Sequence, residues 1–547
     1  MKNSLPWWKS GILYQIYPRS FADSNSDGIG DLNGIRSRLD YLADLGVNGL
    51  WLSPIFPSPD VDFGYDVSDF CSIDPKYGTM EDFDALLEDA HRIGMRIILD
   101  MVMNHTSDQH PWFQRASSSR DDPYHDWYLW KHPAADGKEP NNWRSVTGGS
   151  GWEYVPAVDR YYFHMFYKQQ PDLNWRNQDM QDEMLRIFRF WLDKGVDGYR
   201  LDVFNLFYKD EAFRNNPPKF GLRPFDQQNH IYDVNRPEML PFLEKIRKIA
   251  DEKPGRYLVG EPFTASSPIR MMNIRRSIIA ARYCGDKLLH ATFCFDLLHS
   301  PWNAVQFRKA IQEWENALDG KAWPTYVLGN HDNPRLASRY GDDDKDSRCK
   351  AAAVILLTLR GTPFVYYGDE IGMRDISLKR EQIKDPVGLR YWPIYKGRDG
   401  CRAPMQWSDD EQAGFTNSTQ PWLPVHPDYA KRNVERQSQS KNSLLNLYKQ
   451  LVQLRSQHRV FLDGELKIID GLPPAVLGYL RSGYEEKAMV LVNFSQKRIF
   501  LPLPEGHDST WSVLLSSQPA ATNPIINNQI SLKANEAVIF ISNPVQR

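Results

Sequence analysis

The chain has 547 residues, of which 41% are hydrophobic and 25% are charged, and its formal net charge is −3. This balance argues against nucleic acid or an anionic membrane as a partner, because either normally calls for a basic patch. The longest apolar run, residues 351–359, is about half of what spans a bilayer and predicts a buried helix. The length predicts two or three structural units.

The N-terminus shows no export signal. Residues 1–8 lead directly into a strand-like run at 12–17, without an apolar stretch followed by a cleavage site. The five cysteines are an odd number and lack metal-ligand spacing; they are Cys71, Cys284, Cys294, Cys349 and Cys401. Reduced thiols are the simplest interpretation, and a cytoplasmic location is therefore predicted.

Short β-type runs alternate with amphipathic stretches along most of the chain, a pattern typical of parallel strands joined by helices. Helical periodicity is clear at 80–94 and 184–195. Eight strands are predicted, at residues 12–18, 47–54, 96–104, 196–203, 257–262, 291–296, 325–332 and 364–370. This count favours an α/β fold of the (β/α)8 TIM-barrel type. An open doubly wound sheet is disfavoured, since no Gly-x-Gly-x-x-Gly fingerprint opens a unit.

Two segments depart from the barrel pattern, which is predicted to occupy residues 1–104 and 175–462. About 70 residues rich in Trp, Tyr, Gly and Pro follow the third strand, too many for a simple connection. They predict an inserted subdomain at 105–174 that overhangs the barrel mouth. After a helix at 443–458, alternating β runs predict a C-terminal β-sandwich domain over 463–547.

Acidic side chains close several of the predicted strands. Asp202 lies at the end of the fourth strand, Glu261 at the end of the fifth and Asp332 at the end of the seventh. A single acid in such a place could simply cap a helix or pair with an arginine. Three at matching ends are harder to explain in this way, because a barrel makes the carboxyl ends of its strands converge.

Converging acids are the equipment that glycoside cleavage needs. One carboxylic acid protonates the leaving oxygen, an opposing carboxylate attacks the sugar, and a third would raise the pKa of the acid by repulsion. Arg200 lies two residues before Asp202 and faces the same side of the strand. We expect this arginine to keep Asp202 ionised.

Four segments carry a family resemblance: Asp100-x-x-x-Asn104-His105, Gly198-Tyr199-Arg200-Leu201-Asp202, Gly260-Glu261 and Asn330-His331-Asp332. In this order and spacing they resemble the signature segments of the α-amylase superfamily, glycoside hydrolase family 13. The resemblance implies a retaining glycoside hydrolase with Asp202 as nucleophile, Glu261 as general acid/base and Asp332 as a third acid that distorts the substrate. It also implies that His105 and His331 bind sugar hydroxyls.

A fifth segment narrows the resemblance to one branch. Gln-Pro-Asp-Leu-Asn at 170–174 resembles the oligo-1,6-glucosidase and α-glucosidase branch rather than endo-amylases. Segments 62–66 and 397–405 are similar to those that close the glucose pocket in exo-acting members. The resemblance therefore implies an enzyme that removes glucose from the non-reducing end of short α-linked gluco-oligosaccharides.

The same resemblance implies which residues shape that pocket. An Asp–Arg pair would wall off the non-reducing end, and it is assigned to Asp62 and Arg402, with Arg398 in reserve. Tyr65 would stack on the terminal glucose, and Phe166 would lie at the rim.

The linkage preference and the reaction outcome stay open. Val203, directly after Asp202, resembles α-1,6-preferring enzymes, whereas residues 392–405 resemble maltose- or sucrose-active α-glucosidases. An α-glucosidase is favoured, and an oligo-1,6-glucosidase or a glucosyl transfer of the sucrose isomerase or trehalose synthase type is the alternative. Intact acids disfavour a non-catalytic relative. The expected partner is a small oligosaccharide, bound by a monomer or a homodimer.

An oxygen-rich turn follows the first strand. Asp23, Asn25, Asp27, Ile29 and Asp31 occupy alternate positions, and glycines allow a tight wrap. The spacing resembles the first nine residues of a calcium loop, in which Ile29 would offer its backbone carbonyl. The alternative is an acidic turn without a metal. The family resemblance supports a structural Ca²⁺ or Mg²⁺, between which oxygen ligands do not choose. No organic cofactor is expected.

Overall fold

The computed structural model describes residues 5–264, 276–341, 346–483, 486–502, 511–518, 524–526 and 529–542. Residues 1–4, which belong to the N-terminal stretch discussed above, lie outside the described residues. So do several short parts of the predicted C-terminal domain at 463–547.

The strands are short, as expected for a barrel. In chain order they are β1 (Leu13–Ile16), β2 (Gly49–Leu52), β3 (Arg96–Met101), β4 (Trp130–Lys131), β5 (Trp152–Val155), β6 (Arg160–Phe163), β7 (Gly198–Leu201), β8 (Tyr257–Gly260), β9 (Ala291–Thr292), β10 (Thr325–Val327), β11 (Thr362–Tyr366), β12 (Glu465–Ile468), β13 (Val476–Ser482), β14 (Lys487–Asn493), β15 (Ile499–Pro502), β16 (Ser512–Ser516), β17 (Ile525–Ile526), β18 (Gln529–Leu532) and β19 (Ala537–Ser542).

The first helix precedes β1, and the other helices lie between β1 and β12. They are α1 (Trp7–Ser10), α2 (Leu32–Arg36), α3 (Leu39–Leu45), α4 (Met80–Arg92), α5 (Pro111–Ala116), α6 (Gln178–Lys194), α7 (Met239–Ala250), α8 (Arg276–Ala281), α9 (Ala304–Leu318), α10 (Leu336–Tyr340), α11 (Ser347–Thr358), α12 (Pro386–Tyr391), α13 (Val434–Gln439) and α14 (Leu444–Gln457).

Eight parallel strands form the barrel; seven lie within a predicted run, and β11 begins two residues before the run predicted at 364–370. They pair in the order β10–β11–β1–β2–β3–β7–β8–β9. Across the remaining gap, the Thr325 hydroxyl of β10 donates to the Thr292 carbonyl of β9 at 2.7 Å. The predicted (β/α)8 fold is therefore confirmed. Observed strands are shorter than predicted because the residues after each one leave the ladder to build the barrel mouth.

Local capping explains where two predicted helices begin and end. Helix α4 starts after Thr79, which exchanges a capping box with Asp82. Helix α6 begins at Gln178, six residues before the start predicted at 184. It is capped by Asn177, whose side chain accepts from the Met180 amide. It ends at Lys194, because Gly195 after it adopts the left-handed conformation that glycine tolerates best. The buried helix predicted at 351–359 lies within α11 and the residue that follows it.

The segment between β3 and α6 carries a small sheet of its own. Strands β4, β6 and β5 form an antiparallel three-stranded sheet within 105–174. The segment returns to the barrel at Leu173, whose amide donates to the Asn104 carbonyl at 2.9 Å. Residues 170–174 are therefore held directly against the mouth end of β3.

Antiparallel strands follow α14, as predicted. One sheet has the order β12–β13–β14–β19–β16 and another the order β15–β18–β17. The precise domain boundaries at 105–174 and 463–547 stay predictions. Among the described residues, none of the helices has the length and apolar character needed to cross a bilayer.

Candidate active site

The carboxyl ends of the barrel strands surround a cavity of about 630 Å³. Asp202, Glu261 and Asp332 all line it. The barrel ladder sets the first two side by side, because the Glu261 amide donates to the Leu201 carbonyl at 2.9 Å. The three acids singled out in the sequence thus meet in one cavity.

A single guanidinium links the carboxylates of the cavity floor. Arg200 is 1% exposed and donates from Nη1 to Asp100 Oδ1 at 2.6 Å and to Asp202 Oδ1 at 2.7 Å. Its Nη2 donates to Glu261 Oε2. The positive charge predicted to serve Asp202 is therefore shared with two further carboxyl groups. Asp100 was not singled out as a site residue, although it opens the first signature segment.

Burial dominates the ionisation of the two acids that Arg200 bridges. Burial raises the pKa of Asp202, while the Arg200 guanidinium opposes the rise and neighbouring carboxylates add to it. Burial also raises the pKa of Glu261, again opposed by Arg200 and increased by Asp332. The raised pKa of Glu261 agrees with the prediction for an acid. Arg200 lowers the pKa of Asp202 as expected, although burial raises that pKa by more, and the ionisation of Asp202 stays a prediction.

Asp332 has the opposite electrostatic surroundings. Its Oδ1 accepts from Arg402 Nη2 at 3.1 Å and from Arg398 Nη1 at 3.3 Å. Burial alone would raise the pKa of Asp332, but His331, Arg398 and Arg402 together lower it below its usual value. Asp332 is therefore the carboxylate of the three with the strongest preference for the charged form.

One wall of the cavity is closed by an ion pair. Arg398 Nη2 donates to Asp62 Oδ1 at 2.7 Å, and Arg398 Nε donates to Asp385 Oδ2 at 2.9 Å. The predicted pairing of Asp62 with Arg402 is wrong, because Arg402 turns its Nε to the His331 carbonyl at 2.9 Å. Arg398, the reserve choice, takes the predicted place. Asp385 was missed, because an acid before a proline reads equally well as a helix cap.

Tyr65 lines the cavity, and His331 packs behind its ring. The two rings stack with a centroid distance of 5.3 Å, and Tyr65 Oη lies 2.7 Å from His331 Nε2. Gln15 Nε2 lies 2.7 Å from the other ring nitrogen, Nδ1. Burial lowers the pKa of His331 to about 3, so the ring is neutral. Unlike Tyr65, His331 is not among the lining residues, and neither are Arg200 and Arg402.

His105 and Phe166 lie on the cavity side that the inserted segment covers. Both line the cavity, and their ring centroids are 5.3 Å apart. Gln170 Nε2 donates to Asp62 Oδ2 at 3.2 Å and lies 3.1 Å from His105 Nε2. Gln170, the first residue of the segment used to identify the branch, therefore joins the wall to the histidine.

Known proteins similar in sequence and structure agree with this arrangement. A family model described as alpha amylase, catalytic domain, matches residues 15–464. The chain belongs to the α-amylase family, glycoside hydrolase family 13. It is 40% identical over 531 residues to a probable alpha-glucosidase of Rhizobium meliloti (strain 1021), covering 93% of this chain and 94% of that protein. It is 40% identical over 532 residues to an oligo-1,6-glucosidase of Parageobacillus thermoglucosidasius, covering 91% and 92%.

A solved structure extends the likeness to the whole fold. The α-glucosyl transfer enzyme XgtA matches with a TM-score of 0.92 and 36% identity, over 99% of this chain and 100% of that chain. The family 13 chain described here is thus a glycoside hydrolase with glucosidase relatives along nearly its full length.

The backbone of this family 13 enzyme is strained directly after Asp202. Val203 has φ 34° and ψ 36°, a left-handed conformation that a β-branched residue rarely adopts. Such strain costs about 1–3 kcal/mol and persists only where the surroundings fix it. It turns the chain sharply, so that both Asp202 and Val203 line the cavity.

Several cavity residues of the enzyme were not predicted from the sequence. They come from two segments that lie far apart in the chain, a loop at 222–223 and the end of α12 with the residues after it, and they are Leu222, Arg223, Tyr391, Ile394 and Tyr395. Most are apolar and carry no motif, so no sequence signal distinguished them from ordinary surface or core residues.

The predicted metal loop of the enzyme is folded by its own hydrogen bonds. Asp23 Oδ2 accepts from the Gly28 amide at 2.8 Å, and Asp27 Oδ1 accepts from the Ile29 amide at 2.7 Å. Asp31 caps α2 through the Gly34 amide and also binds Ser24. Within the described residues, no three His, Cys, Asp or Glu side chains converge as a metal cluster. A cation at this loop would therefore depend on Asn25 and the Ile29 carbonyl as well as on the acids, a hard-oxygen set that suits Ca²⁺ or Mg²⁺.

Proposed function

We propose that the enzyme is a retaining, exo-acting α-glucosidase that releases glucose from the non-reducing end of short α-linked gluco-oligosaccharides. The observation that carries the proposal is the Asp62–Arg398 ion pair beside three acids of one cavity. A wall formed by this ion pair would stop a chain from continuing beyond the terminal sugar. Such a pocket suits the end of an oligosaccharide.

The residues have distinct roles in this proposal. Glu261, whose pKa is raised, would protonate the leaving oxygen while Asp202 attacks the anomeric carbon to give a glucosyl ester. Glu261 would then take the proton from water as the water replaces Asp202. Asp332 and the neutral His105 would hold hydroxyls of the bound glucose, and Tyr65 would pack on its face.

Two alternatives differ in linkage or in outcome. Val203 lines the cavity beside Asp202, which supports a role in linkage preference and keeps the oligo-1,6-glucosidase alternative in view. Glucosyl transfer to a second sugar, as in sucrose isomerase or trehalose synthase, would use the same two carboxyls. We favour the α-glucosidase because the closed wall explains selection for a terminal glucose without specifying the linkage.

A product profile tests the proposal. Purified enzyme is incubated with maltose, isomaltose, sucrose, trehalose and maltoheptaose, and products are resolved by chain length while the anomer released first is followed by proton NMR. We expect glucose as α-anomer from the chain end, with maltose faster than isomaltose. Internal cleavage of maltoheptaose, or release of the β-anomer, would contradict exo action or retention.

We also propose that the loop Asp23–Asn25–Asp27–Ile29–Asp31 binds a structural Ca²⁺ or Mg²⁺. The loop lies outside the residues that line the cavity, so the ion would support folding only. Asp27→Ala should lower the melting temperature by a few degrees in calcium, because a bound ion stabilises the folded state by mass action. The wild type should lose a similar amount in EDTA. A wild-type melting curve that ignores both calcium and EDTA would contradict the site.

The predicted cytoplasmic location is likewise proposed. It is supported by Cys71, Cys284, Cys294 and Cys401, which are present as thiols. Fractionation of the producing cells would test it, and activity confined to the external medium would contradict it.

A further inference from the structure

Two buried carboxyl groups are hydrogen-bonded to the ion pair that closes the cavity. Asp385 and Asp66 are each 0% exposed, and neither is among the described residues that line the cavity. A substrate in the cavity therefore meets Asp62 and Arg398, which do line it, rather than these two acids. Any effect that Asp385 and Asp66 have on substrate binding is transmitted by the side chains they hold.

Asp385 holds the arginine half of the ion pair. Its Oδ2 accepts from the Arg398 amide at 2.8 Å and from Arg398 Nε at 2.9 Å, and its Oδ1 accepts from Arg398 Nη2 at 3.1 Å. Gly397 permits this close approach, because a Cβ there would lie 2.8 Å from Asp385 Oδ2. Burial would raise the pKa of Asp385, but the Arg398 guanidinium lowers it to about 2, so this carboxylate is charged. One carboxylate thus fixes both the backbone and the side chain of the arginine.

Helix α12 gives Asp385 a defined position of its own. Oδ1 of Asp385 caps the helix by accepting from the Val387 amide at 3.2 Å. At the other end of α12, Arg390 Nη1 donates to the carbonyls of Thr147 at 2.7 Å and Gly148 at 2.9 Å. The helix therefore ties the arginine of the wall to the inserted segment.

Asp66 holds the acid half of the ion pair through the backbone. Its Oδ1 accepts from the Asp62 amide at 2.9 Å and from Ser58 Oγ at 2.7 Å, and its Oδ2 accepts from the Val61 amide at 2.9 Å. One carboxylate thus closes the turn at 58–62. At the end of this turn, Asp62 Oδ1 accepts from Arg398 Nη2 at 2.7 Å.

We propose that Asp385 and Asp66 are positioning residues that set the geometry of the Asp62–Arg398 wall, and with it the selection of a terminal glucose. This inference rests on the proposed function, because it assumes that the wall bounds the glucose pocket. Asp385 has the larger role, since it binds the charged side chain directly. An arginine released from this carboxylate regains rotamers, and a displacement of about 1 Å in a positioning group lowers a rate by up to roughly 10²-fold.

A double-mutant cycle tests the role of Asp385. Asp385→Asn keeps the size of the side chain but removes its charge, and it should raise KM for maltose about tenfold because Arg398 is held less firmly. The value of kcat should fall by less than about threefold, since the reacting carboxyl groups are untouched. In the Arg398→Met background, the same substitution should change kcat/KM by less than about twofold, because the group that Asp385 positions is already lost.

A second cycle tests the role of Asp66. Asp66→Asn should raise KM for maltose about fivefold, because one oxygen becomes an amide nitrogen that cannot accept from the backbone. In the Asp62→Asn background, it should lower kcat/KM by less than about twofold, because the carboxylate that the turn presents to Arg398 is already lost.

Asp197→Asn is the matched control. Asp197 is 8% exposed and likewise binds an arginine and a backbone amide, with Arg96 Nη1 at 3.1 Å and the Ile97 amide at 2.9 Å. It directly precedes β7, at the end of the barrel opposite the cavity. The substitution should lower the melting temperature but leave KM within about twofold, with the same effect in the Arg398→Met background. A purely structural loss has this pattern, since unfolding removes active enzyme without changing the KM of the remainder.

The outcomes separate the inference from the proposed function. If Asp385→Asn lowers kcat/KM equally in wild-type and Arg398→Met enzyme, or lowers kcat without raising KM, Asp385 is a structural residue and the inference fails while the α-glucosidase stands. If Asp66→Asn and Asp62→Asn are additive, the assignment of Asp66 fails. If wild-type enzyme does not cleave maltose, the proposed function fails and takes the inference with it.

Discussion

Arg200, Arg455 and Arg481 are three fully buried arginines in contrasting surroundings. Arg200 lies under the cavity and binds three carboxyl groups. Arg455 and Arg481 lie where α14 and β13 meet the end of α11, and both bind backbone carbonyls, sharing that of Phe461.

Their electrostatics differ accordingly. Burial alone would lower the pKa of Arg200, but Asp100 and Glu261 raise it above its usual value. Burial lowers the pKa of Arg455 to about 9, with a further lowering by the charge of Arg481. For Arg481 burial lowers the pKa to about 10. Backbone carbonyls accept from Nη1 and Nη2 of both arginines but supply no full opposing charge, and Arg455 Nε lacks a partner among the described residues.

The contrast teaches that a buried charge does not by itself mark a functional site. Arg455 Nη1 donates to the Leu357 carbonyl at 3.2 Å, near the C-terminus of α11, where the helix dipole favours a cation. That role is structural. At Arg200, opposite charges converge beside an open cavity, so that a substrate can reach the carboxyls it holds.

The largest expected effect comes from neutralising one of the carboxyl groups that Arg200 binds. Asp202→Asn should lower kcat/KM on p-nitrophenyl α-glucoside by about 10⁴-fold or more, because the nucleophile is lost. The melting temperature should not fall, since one of several crowded carboxyls becomes neutral. Asp193→Asn is the control, as its side chain on α6 is 72% exposed. Substantial activity in Asp202→Asn would remove this residue from its proposed role.

A pH profile of activity tests how the carboxyl groups of the cavity shift one another's pKa. The charge of Asp332 raises the pKa of both Asp202 and Glu261. Asp332→Asn removes that charge, so both groups should release protons more readily. The acid limb, set by the nucleophile, and the alkaline limb, set by the acid, should both move to lower pH, while activity falls by about 10³-fold. Limbs that stay in place or move to higher pH would contradict this electrostatic coupling.

A double-mutant cycle tests the wall of the cavity. Asp62→Asn and Arg398→Met should each lower activity on maltose by about 10²-fold, because the terminal glucose is no longer held in register. Their effects should couple by at least about 1 kcal/mol. Asp62 and Arg402 should couple less, since of the two arginines it is Arg398 that forms an ion pair with Asp62. Stronger coupling to Arg402 would overturn the pairing described above.

The smallest expected effect on activity comes from replacing Arg455, which backbone carbonyls bind. Arg455→Met should leave kcat and KM within about twofold, yet reduce the free energy of unfolding by about 2–3 kcal/mol, because buried carbonyls lose their donors. Thermal melting and activity assays would check both. Arg459→Met is the control, with a side chain that is 59% exposed. If Arg455→Met destabilises no more than the control, its carbonyl contacts contribute little.

The barrel and its acids could be predicted because both depend on local pattern. Strand runs, helix caps and the acids after β7 and β8 are properties of a few consecutive residues, and barrel closure then brings the strand ends together. The residues and the order of the signature segments predicted the family, and the match of the family model to residues 15–464 confirms it.

Long-range pairing could not be read in this way. Asp62 and Arg398 are 336 residues apart, and nothing local distinguishes Arg398 from Arg402 as a partner. Likewise, the extent to which burial outweighs Arg200 depends on how many carboxyls surround one guanidinium. Sequence by itself determined which chemical groups this protein carries and on which strands. Only the tertiary structure decided which charges meet, because electrostatic energy depends on distance and burial rather than on position along the chain.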